Sequence, residues 1–282
     1  MKYDIGGNTI LAAYLLGQAP PPLMFVALGT FQAGDTSDML LRDASTGAFK
    51  VYDIANNNIT NAASLGTVGL NWQIAGFGDF NGDGSTDMAL RNATSGAFEV
   101  YDIVNNSIVS ASNLGTVGLN WQMAGFGDFS SNPGETDMLL RNAATGAFEV
   151  YDIVNNAITS ASNLGTVGVD WQVAGFGPIS GAGKSDMVLR NASSGAFEVY
   201  DIASNQITAA ASLGSVGLDW QVGGFAVDPP TGSMGSSDTS TSQLVQAMAG
   251  FGGGSGAGES LSVASLGAET SQQPLLTTPQ HA

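Results

Sequence analysis

Short runs in which apolar and polar residues alternate, separated by Gly, Asn and Ser, make up most of the chain. Between residues 97 and 103 the apolar residues Phe98, Val100 and Ile103 are interspersed with the acidic residues Glu99 and Asp102. A period of two is typical of a β-strand with one buried face, and this stretch has no sustained helical period. The pattern therefore predicts an all-β protein.

Four strands are predicted in each repeat unit. In the copy that begins at Trp72 they cover residues 72–80, 87–92, 97–103 and 107–114. A polar loop at residues 81–86 joins the first two strands. Asn105-Asn106 suits a tight hairpin turn between the last two, because Asn tolerates a positive φ better than most residues.

The same unit recurs along the chain. A Trp-Gln pair begins it at Trp72, Trp121, Trp171 and Trp220, at spacings of 49, 50 and 49 residues. Because four strands in 40–50 residues is typical of one propeller blade, we predict a β-propeller of four-stranded blades of about 49 residues. We expect the Trp residues to lie in the cores of the blades.

The repeats divide the chain into two parts. Residues 1–226 are predicted to form the propeller array, with units near residues 23–71, 72–120, 121–170 and 171–219. A fifth unit is split, since residues 2–17 and 220–226 carry complementary parts of it. Pairing of these terminal strands would close about five blades into a ring. The alternatives are an open array and a fragment of a larger repetitive surface protein.

The composition of the chain argues against several classes of partner and of catalysis. Lys and Arg number 7 against 24 Asp and Glu, a net charge of −17, which argues against nucleic acid as a partner. Cys is absent and His281 is the single histidine, so thiol, zinc–thiolate and histidine-dependent catalysis are improbable. No apolar run reaches the length of about 18 residues that a membrane span requires.

The two ends of the chain allow more than one interpretation. Residues 10–16 are apolar and superficially resemble a signal peptide. However, residues 3–17 match residues 52–66 at eight of fifteen positions, which favours a strand pair. Residues 227–282 are rich in Ser, Thr and Gly, which predicts a flexible tail. The alternative for this tail is an uncleaved C-terminal export signal.

The chemical motif with the clearest pattern is the loop of residues 79–87. Oxygen-bearing side chains stand at its positions 1, 3, 5 and 9, and the carbonyl of its seventh residue is a further candidate ligand. Calcium takes six to eight hard oxygen ligands, so this spacing predicts a calcium site, with a solvated acidic turn as the alternative. The candidate ligands are Asp79, Asn81, Asp83, Ser85 and Asp87.

The equivalent loops of the other units lose this pattern by degrees. The loop of residues 128–137 keeps an aspartate at each end but contains one extra residue, so it is a weaker candidate for calcium. The loop of residues 177–186 retains only the last aspartate, and the loop of residues 30–38 has Thr, Gln and Gly at its first, third and fifth positions, where ligands are expected. One calcium site is therefore expected, with a second as the alternative.

The segment of residues 76–87, Gly-Phe-Gly-Asp-Phe-Asn-Gly-Asp-Gly-Ser-Thr-Asp, resembles the core of the FG-GAP/VCBS repeat family. Phe-Gly pairs at residues 126–127 and 176–177 extend the resemblance over most of residues 20–226. The resemblance implies a propeller like the integrin α-chain head, calcium in the blade loops and an extracellular or cell-surface location. It also implies that the five residues listed above are the ligands.

Two classes of function remain open at this point. The first is a secreted or surface-exposed, calcium-stabilised binding or adhesion module with a protein or glycan partner. The second is an accessory domain of, or a propeller-type, carbohydrate-active enzyme, for which Glu99 and Asp102 are a candidate carboxylate pair. Equivalent pairs recur in two further units, which favours a structural pattern and predicts no enzymatic activity. Four arginines at equivalent positions are expected to form salt bridges with nearby acids: Arg42, Arg91, Arg141 and Arg190.

Overall fold

The computed structural model of the protein describes residues 2–6, 9–17, 22–32, 38–132, 136–181 and 185–223. In this part of the chain, all strands except the first two lie in four separate four-stranded antiparallel sheets. Each sheet corresponds to one repeat unit, so the predicted all-β fold of four-stranded blades is confirmed. The predicted tail at residues 227–282 lies outside the described residues. Among the described residues, no helix is long and apolar enough to cross a membrane.

The four blades follow one another along the chain, and in each blade every strand pairs with the next one. Blade 1 consists of β3 (Leu23–Gly29), β4 (Asp38–Asp43), β5 (Ala48–Ala55) and β6 (Asn58–Thr67). Blade 2 consists of β7 (Trp72–Gly78), β8 (Asp87–Asn92), β9 (Ala97–Val104) and β10 (Ser107–Thr116). Blade 3 consists of β11 (Trp121–Gly127), β12 (Asp137–Asn142), β13 (Ala147–Val154) and β14 (Ala157–Thr166). Blade 4 consists of β15 (Trp171–Gly177), β16 (Asp186–Asn191), β17 (Ala196–Ala203) and β18 (Gln206–Ser215).

The N-terminal strands β1 (Lys2–Gly6) and β2 (Thr9–Tyr14) form a separate two-stranded antiparallel sheet. Their sequence matches the third and fourth strands of a blade, as the alignment of residues 3–17 with residues 52–66 predicts. Residues 220–223 lie outside any strand. The described fold therefore comprises four complete blades and half of a further one.

The hairpin between the third and fourth strands forms where the Asn pair predicts it. In blade 2, Asn105 and Asn106 have φ values of 49° and 58°. Two consecutive residues with positive φ give a two-residue turn whose twist matches that of the two flanking strands, so the strands stay paired. The turn therefore places Asn106 at the tip of this hairpin, next to the preceding blade.

The hydrophobic core lies between neighbouring blades. At the junction of blades 2 and 3, Phe98 and Val100 from blade 2 pack with Met138 and Leu140 from blade 3, and all four are buried. Full burial of each such side chain contributes about 1.5–3 kcal/mol relative to exposure. Because one blade alone would expose these faces, the blades stabilise one another by stacking. Trp72, Trp121 and Trp171 are partly buried against such clusters, as predicted, whereas Trp220 is 60% exposed, so its predicted place in a core is wrong.

Candidate functional site

The loop of residues 79–87 joins β7 to β8 in blade 2 and is organised by its first acidic residue. One oxygen of the Asp79 carboxylate accepts hydrogen bonds from the amides of Gly82 (2.7 Å) and Asp83 (3.1 Å). The other oxygen accepts one from the amide of Gly84 (2.8 Å). Gly82 and Gly84 have φ values of 80° and 84°, a backbone region that favours glycine. The loop thus wraps tightly around the Asp79 carboxylate.

The middle of the loop brings the other candidate ligands together. The Asn81 side-chain oxygen accepts a hydrogen bond from the amide of Asp83 (2.9 Å), and its amide group donates to the Asp83 carboxylate (3.1 Å). Asp83 also accepts a hydrogen bond from the amide of Ser85 (2.7 Å). Asp83 is exposed, whereas Asn81 and Ser85 are half-buried. Hard oxygen atoms of the type that calcium prefers are therefore concentrated in one accessible loop.

Asp87, the last predicted ligand, is completely buried at the start of β8. Its two carboxylate oxygens accept hydrogen bonds from the amides of Phe80 (3.2 Å) and Ile103 (3.0 Å). Burial raises the pKa of Asp87 to about 7, the two amides counteract this rise, and the charges of Asp102 and Asp83 add to it. The carboxylate therefore ties the loop and the third strand to β8.

The same arrangement occurs in blades whose loops lack the other candidate ligands. Asp38 accepts hydrogen bonds from the amides of Phe31 and Ile54, and Asp186 from those of Ser180 and Ile202. In blade 3, Asp137 accepts the equivalent bonds from the amides of Phe129 and Ile153. A role shared by all four blades does not depend on a metal. The recurrence of the Asp-Met pair in every unit was the sequence signal for this structural role.

The loop of residues 79–87 fits calcium only in part. Among the described residues, no group of three or more Asp, Glu, His or Cys side chains is arranged to hold a metal ion. Asp79, Asn81, Asp83 and the main chain of Ser85 fit calcium by their chemistry and their proximity, although the loop amides already contact the three side chains. Asp87 as a ligand stays a prediction, because both of its oxygens serve the blade. In the weaker candidate loop, residues 133–135 lie outside the described residues.

A second polar arrangement lies at each blade junction, and the sequence analysis missed it. The Asn106 amide donates to the carbonyl of Phe31 (2.9 Å) in the preceding blade. Its side chain donates to the carboxylate of Asp53 (2.6 Å), which is also buried. Equivalent bonds join Asn156 to Asp102 and Asn205 to Asp152. We call this contact the Asn clasp.

Among the described residues, the guanidinium groups of the four arginines bond main-chain carbonyls and not the acidic side chains that were predicted, although Arg141 also interacts with the charge of Asp170. The guanidinium of Arg42 donates instead to the main-chain carbonyls of Trp72 (2.8 Å), Val68 (3.3 Å) and Gly69 (3.2 Å), in the segment that leads to the next blade. It also lies over the ring of Phe49, 4.9 Å from its centroid. Equivalent bonds and ring contacts recur for the other three: Arg91, Arg141 and Arg190. Carbonyl acceptors carry no side-chain signature, so the sequence could not reveal them.

Glu99 and Asp102, the candidate carboxylate pair, both accept hydrogen bonds from neighbouring side chains. Glu99 accepts a hydrogen bond from the Tyr101 hydroxyl (2.7 Å), and Glu198 accepts one from Tyr200 at the same distance. Burial raises the pKa of Tyr101 to about 12, and the bond to Glu99 adds to this rise. Asp102 is buried in the Asn clasp. The geometry therefore offers no support for acid–base catalysis by Glu99 and Asp102.

Each blade presents one exposed aliphatic side chain at the same place, in the segment that follows its fourth strand. These side chains are 54–59% exposed: Leu70, Leu119, Val169 and Leu218. A β-carbon added to Gly96 or Gly195 would lie 3.5 Å from the side chain of Leu119 or Leu218 respectively, so each leucine borders the turn between the second and third strands. The arginine bonds described above fix this segment. We call the four side chains together the aliphatic row.

Comparison with known proteins adds little to these observations. The sequence matches no protein-family profile and no characterised protein. The structure is similar to the Dos1 propeller, with 11% identity, a TM-score of 0.41, and coverage of 63% of this chain and 56% of that one. It is also similar to hydrazine synthase of Kuenenia stuttgartiensis, with 15% identity, a TM-score of 0.37, and coverage of 70% and 53%. The matched region thus spans little more than half of each of these structures.

Proposed function

We propose that the protein is a non-enzymatic binding or adhesion module, with a protein or glycan partner. The observation that carries this proposal is the aliphatic row, because four blades present the same exposed side chain on the same rigid segment. A single exposed leucine is normal on a protein surface. Exposed aliphatic side chains at the same position of four blades provide several equivalent contact points for a partner. Preorganisation of the segment by arginine lowers the entropy cost of binding.

The distribution of buried polar groups supports a binding role over catalysis. The Asn clasps, the buried aspartates and the arginine contacts recur from blade to blade, and each joins segments that are distant in sequence. An enzyme needs a polar arrangement that occurs once. The single histidine of the chain is His281, and cysteine is absent. Repetition without a unique reactive group is typical of a surface for recognition.

The proposal is tested by removing one or all of the repeated contacts in the aliphatic row and measuring the loss of binding. Replacing Leu119 with Ser removes one contact, which should weaken binding several-fold. Replacing all four residues of the aliphatic row with Ser should weaken binding by more than tenfold, since linked contacts act together. Binding is measured on a glycan array and on immobilised extracellular matrix proteins.

The matched control for this test is Val109→Ser. Val109 is 60% exposed in the fourth strand of blade 2, outside the aliphatic row. Its replacement should leave binding unchanged, while all variants keep the wild-type melting temperature within a few degrees. Equal binding by the fourfold variant and the Val109 variant would rule out the row as the recognition surface.

Calcium in the loop of residues 79–87 is part of the proposal. The supporting observation is the concentration of Asp79, Asn81 and Asp83 in one accessible loop. Extracellular modules bind calcium with dissociation constants of about 10⁻⁴–10⁻³ M, so a site with few ligands would be filled outside the cell. We therefore place the protein in an extracellular or cell-surface setting.

We expect Asp83→Ala to abolish the stabilisation of the protein by calcium. In the wild type, calcium at 100 times the dissociation constant of the site raises the free energy of unfolding by about 2.7 kcal/mol. This gain raises the melting temperature by several degrees. The variant should melt at the same temperature in calcium and in a chelator. Thermal unfolding in both buffers measures this difference.

Asp43→Ala is the matched control for the calcium experiment. Asp43 also accepts hydrogen bonds from loop amides, those of Ser45 (2.8 Å) and Thr46 (2.9 Å). The variant should lose equal stability in calcium and in a chelator, and should keep the wild-type response to calcium. A wild-type protein that melts identically in both buffers would remove calcium from the proposal.

A further inference from the structure

The first strand of blade 1 departs from the sequence that the other first strands share. Strands β7, β11 and β15 all read Trp-Gln-X-Ala-Gly-Phe-Gly, where X is an apolar residue. Of these shared residues, β3 keeps the final glycine alone, since it reads Leu-Met-Phe-Val-Ala-Leu-Gly. The second strand of the blade shows no such divergence, because β4 differs from β12 only at its last residue. The local change in β3 points to a role that the other blades do not share.

The altered side chains line a cavity of about 350 Å³ at the junction of blades 1 and 2. Its lining combines Met24, Phe25 and Val26 of β3 with Leu70 and Ile74 from the start of blade 2. Small-molecule sites typically have volumes of about 300–1,000 Å³ and mostly apolar linings. The cavity therefore has the size and the character of a ligand site.

Two of the substitutions make this cavity more apolar than the equivalent place in blade 2. Met24 pairs with Arg42 across the sheet, and Gln73 pairs with Arg91 in the same way. Met24 thus replaces a side-chain amide, and Val26 replaces a smaller alanine. Met24 and Phe25 are 60% and 61% exposed, so a ligand from solution can reach the lining.

Arg42 is the one charged residue among the described residues that line the cavity. Its guanidinium donates to main-chain carbonyls, which do not neutralise its positive charge. Burial lowers the pKa of Arg42, and for Arg141 the charge of Asp170 opposes the same effect. At the place of Asp170, the segment before β7 carries the neutral Asn71. The cavity thus combines an apolar lining with a cation, and no carboxylate belongs to the described lining.

We propose that this cavity binds a small amphipathic carboxylic acid, with its hydrocarbon part against Met24, Phe25 and Leu70 and its carboxylate beside Arg42. A partly buried cation attracts an anion more strongly than a cation in bulk water does, because the local dielectric constant is lower. A sugar fits less well, since the described lining contains no side-chain hydroxyl, amide or carboxylate. The site is independent of the adhesion role, although Leu70 also belongs to the aliphatic row.

Calorimetric titration of the full chain with decanoate tests the proposal, with decanol and decylamine as probes of the same chain length. We expect decanoate to bind about tenfold more tightly than either of the other two. The net charge of −17 attracts cations and repels anions, so non-specific association would favour decylamine. The proposal would be overturned if decanoate did not bind, or if it bound no more tightly than decanol or decylamine.

The variant Met24→Gln/Val26→Ala gives β3 the residues that β7 carries at these positions, so the fold should tolerate it. Its affinity for decanoate should fall about tenfold, because apolar contact area is lost. The matched control is Leu28→Phe, which also introduces a residue of the other first strands but lies outside the cavity lining. This variant should bind decanoate as the wild type does, and both variants should keep the wild-type melting temperature within a few degrees. Equal affinities of the two variants would assign binding to another surface and overturn the proposal.

Discussion

Replacing Asn106 with Asp should destabilise the protein by about 3–5 kcal/mol at pH 7.5, the cost of disrupting a buried charge pair or network. The wild-type side chain donates to the buried carboxylate of Asp53 at 2.6 Å. The substitution removes this donor and places a second carboxylate beside the first, where both are shielded from water. Urea unfolding of variant and wild type measures the change.

The pH dependence of this variant has a definite sign. Two adjacent carboxylates cannot both ionise easily, so the pKa of one of them should rise above its ordinary value in the folded protein. A raised pKa means that the folded form binds the proton more tightly than the unfolded form does. The destabilisation should therefore be complete above the raised pKa and should diminish as the pH falls through it.

Asn105→Asp is the matched control. Asn105 is the neighbouring turn residue, with a φ of 49° and an exposed side chain, and its substitution adds the same charge. Its effect should stay within about 0.5 kcal/mol, as for other surface substitutions, and should vary little with pH. If the two variants were equally stable, the Asn clasp would not hold the blades together.

The contrast between these two asparagines shows how far the sequence predicts this fold. The strands and the turn were predictable because alternation and Asn-Asn are local patterns, and the observed β9 and β10 match their predicted spans within two residues. The bond from Asn106 joins residues 53 positions apart, so no local pattern contains it. An Asp–Asn pair with a similar spacing recurs at each later junction, which was the available signal.

The candidate metal loop shows a second limit. Its spacing predicts a tight turn, and Gly82 and Gly84 take the positive φ that such a turn requires. The same spacing led to Asp87 being assigned as a ligand. That assignment stays a prediction, and the structure adds a role that the spacing does not show, because the carboxylate accepts hydrogen bonds from two amides of its own blade. Burial decides between these roles, and burial depends on the packing of the whole blade.

Replacing Asp186 with Ala should cost about 3–5 kcal/mol, with or without calcium. The carboxylate accepts hydrogen bonds from the amides of Ser180 (2.5 Å) and Ile202 (3.2 Å), and it is completely buried. Each buried amide left without an acceptor costs about 1–3 kcal/mol. Blade 4 is the right place for the test, because its loop has no other acidic residue between Gly177 and Asp186. Chemical unfolding in calcium and in a chelator gives the two values.

Asp186→Asn separates the loss of hydrogen bonds from the loss of volume. The amide side chain keeps the shape and one acceptor oxygen, so one of the two backbone amides stays bonded. Its stability should therefore lie between those of the wild type and the Ala variant. A loss of stability that appears only in calcium would identify the aspartate as a ligand and contradict the structural role. The opposite dependence expected for Asp83→Ala distinguishes the loop carboxylates from the carboxylate that ties each blade together.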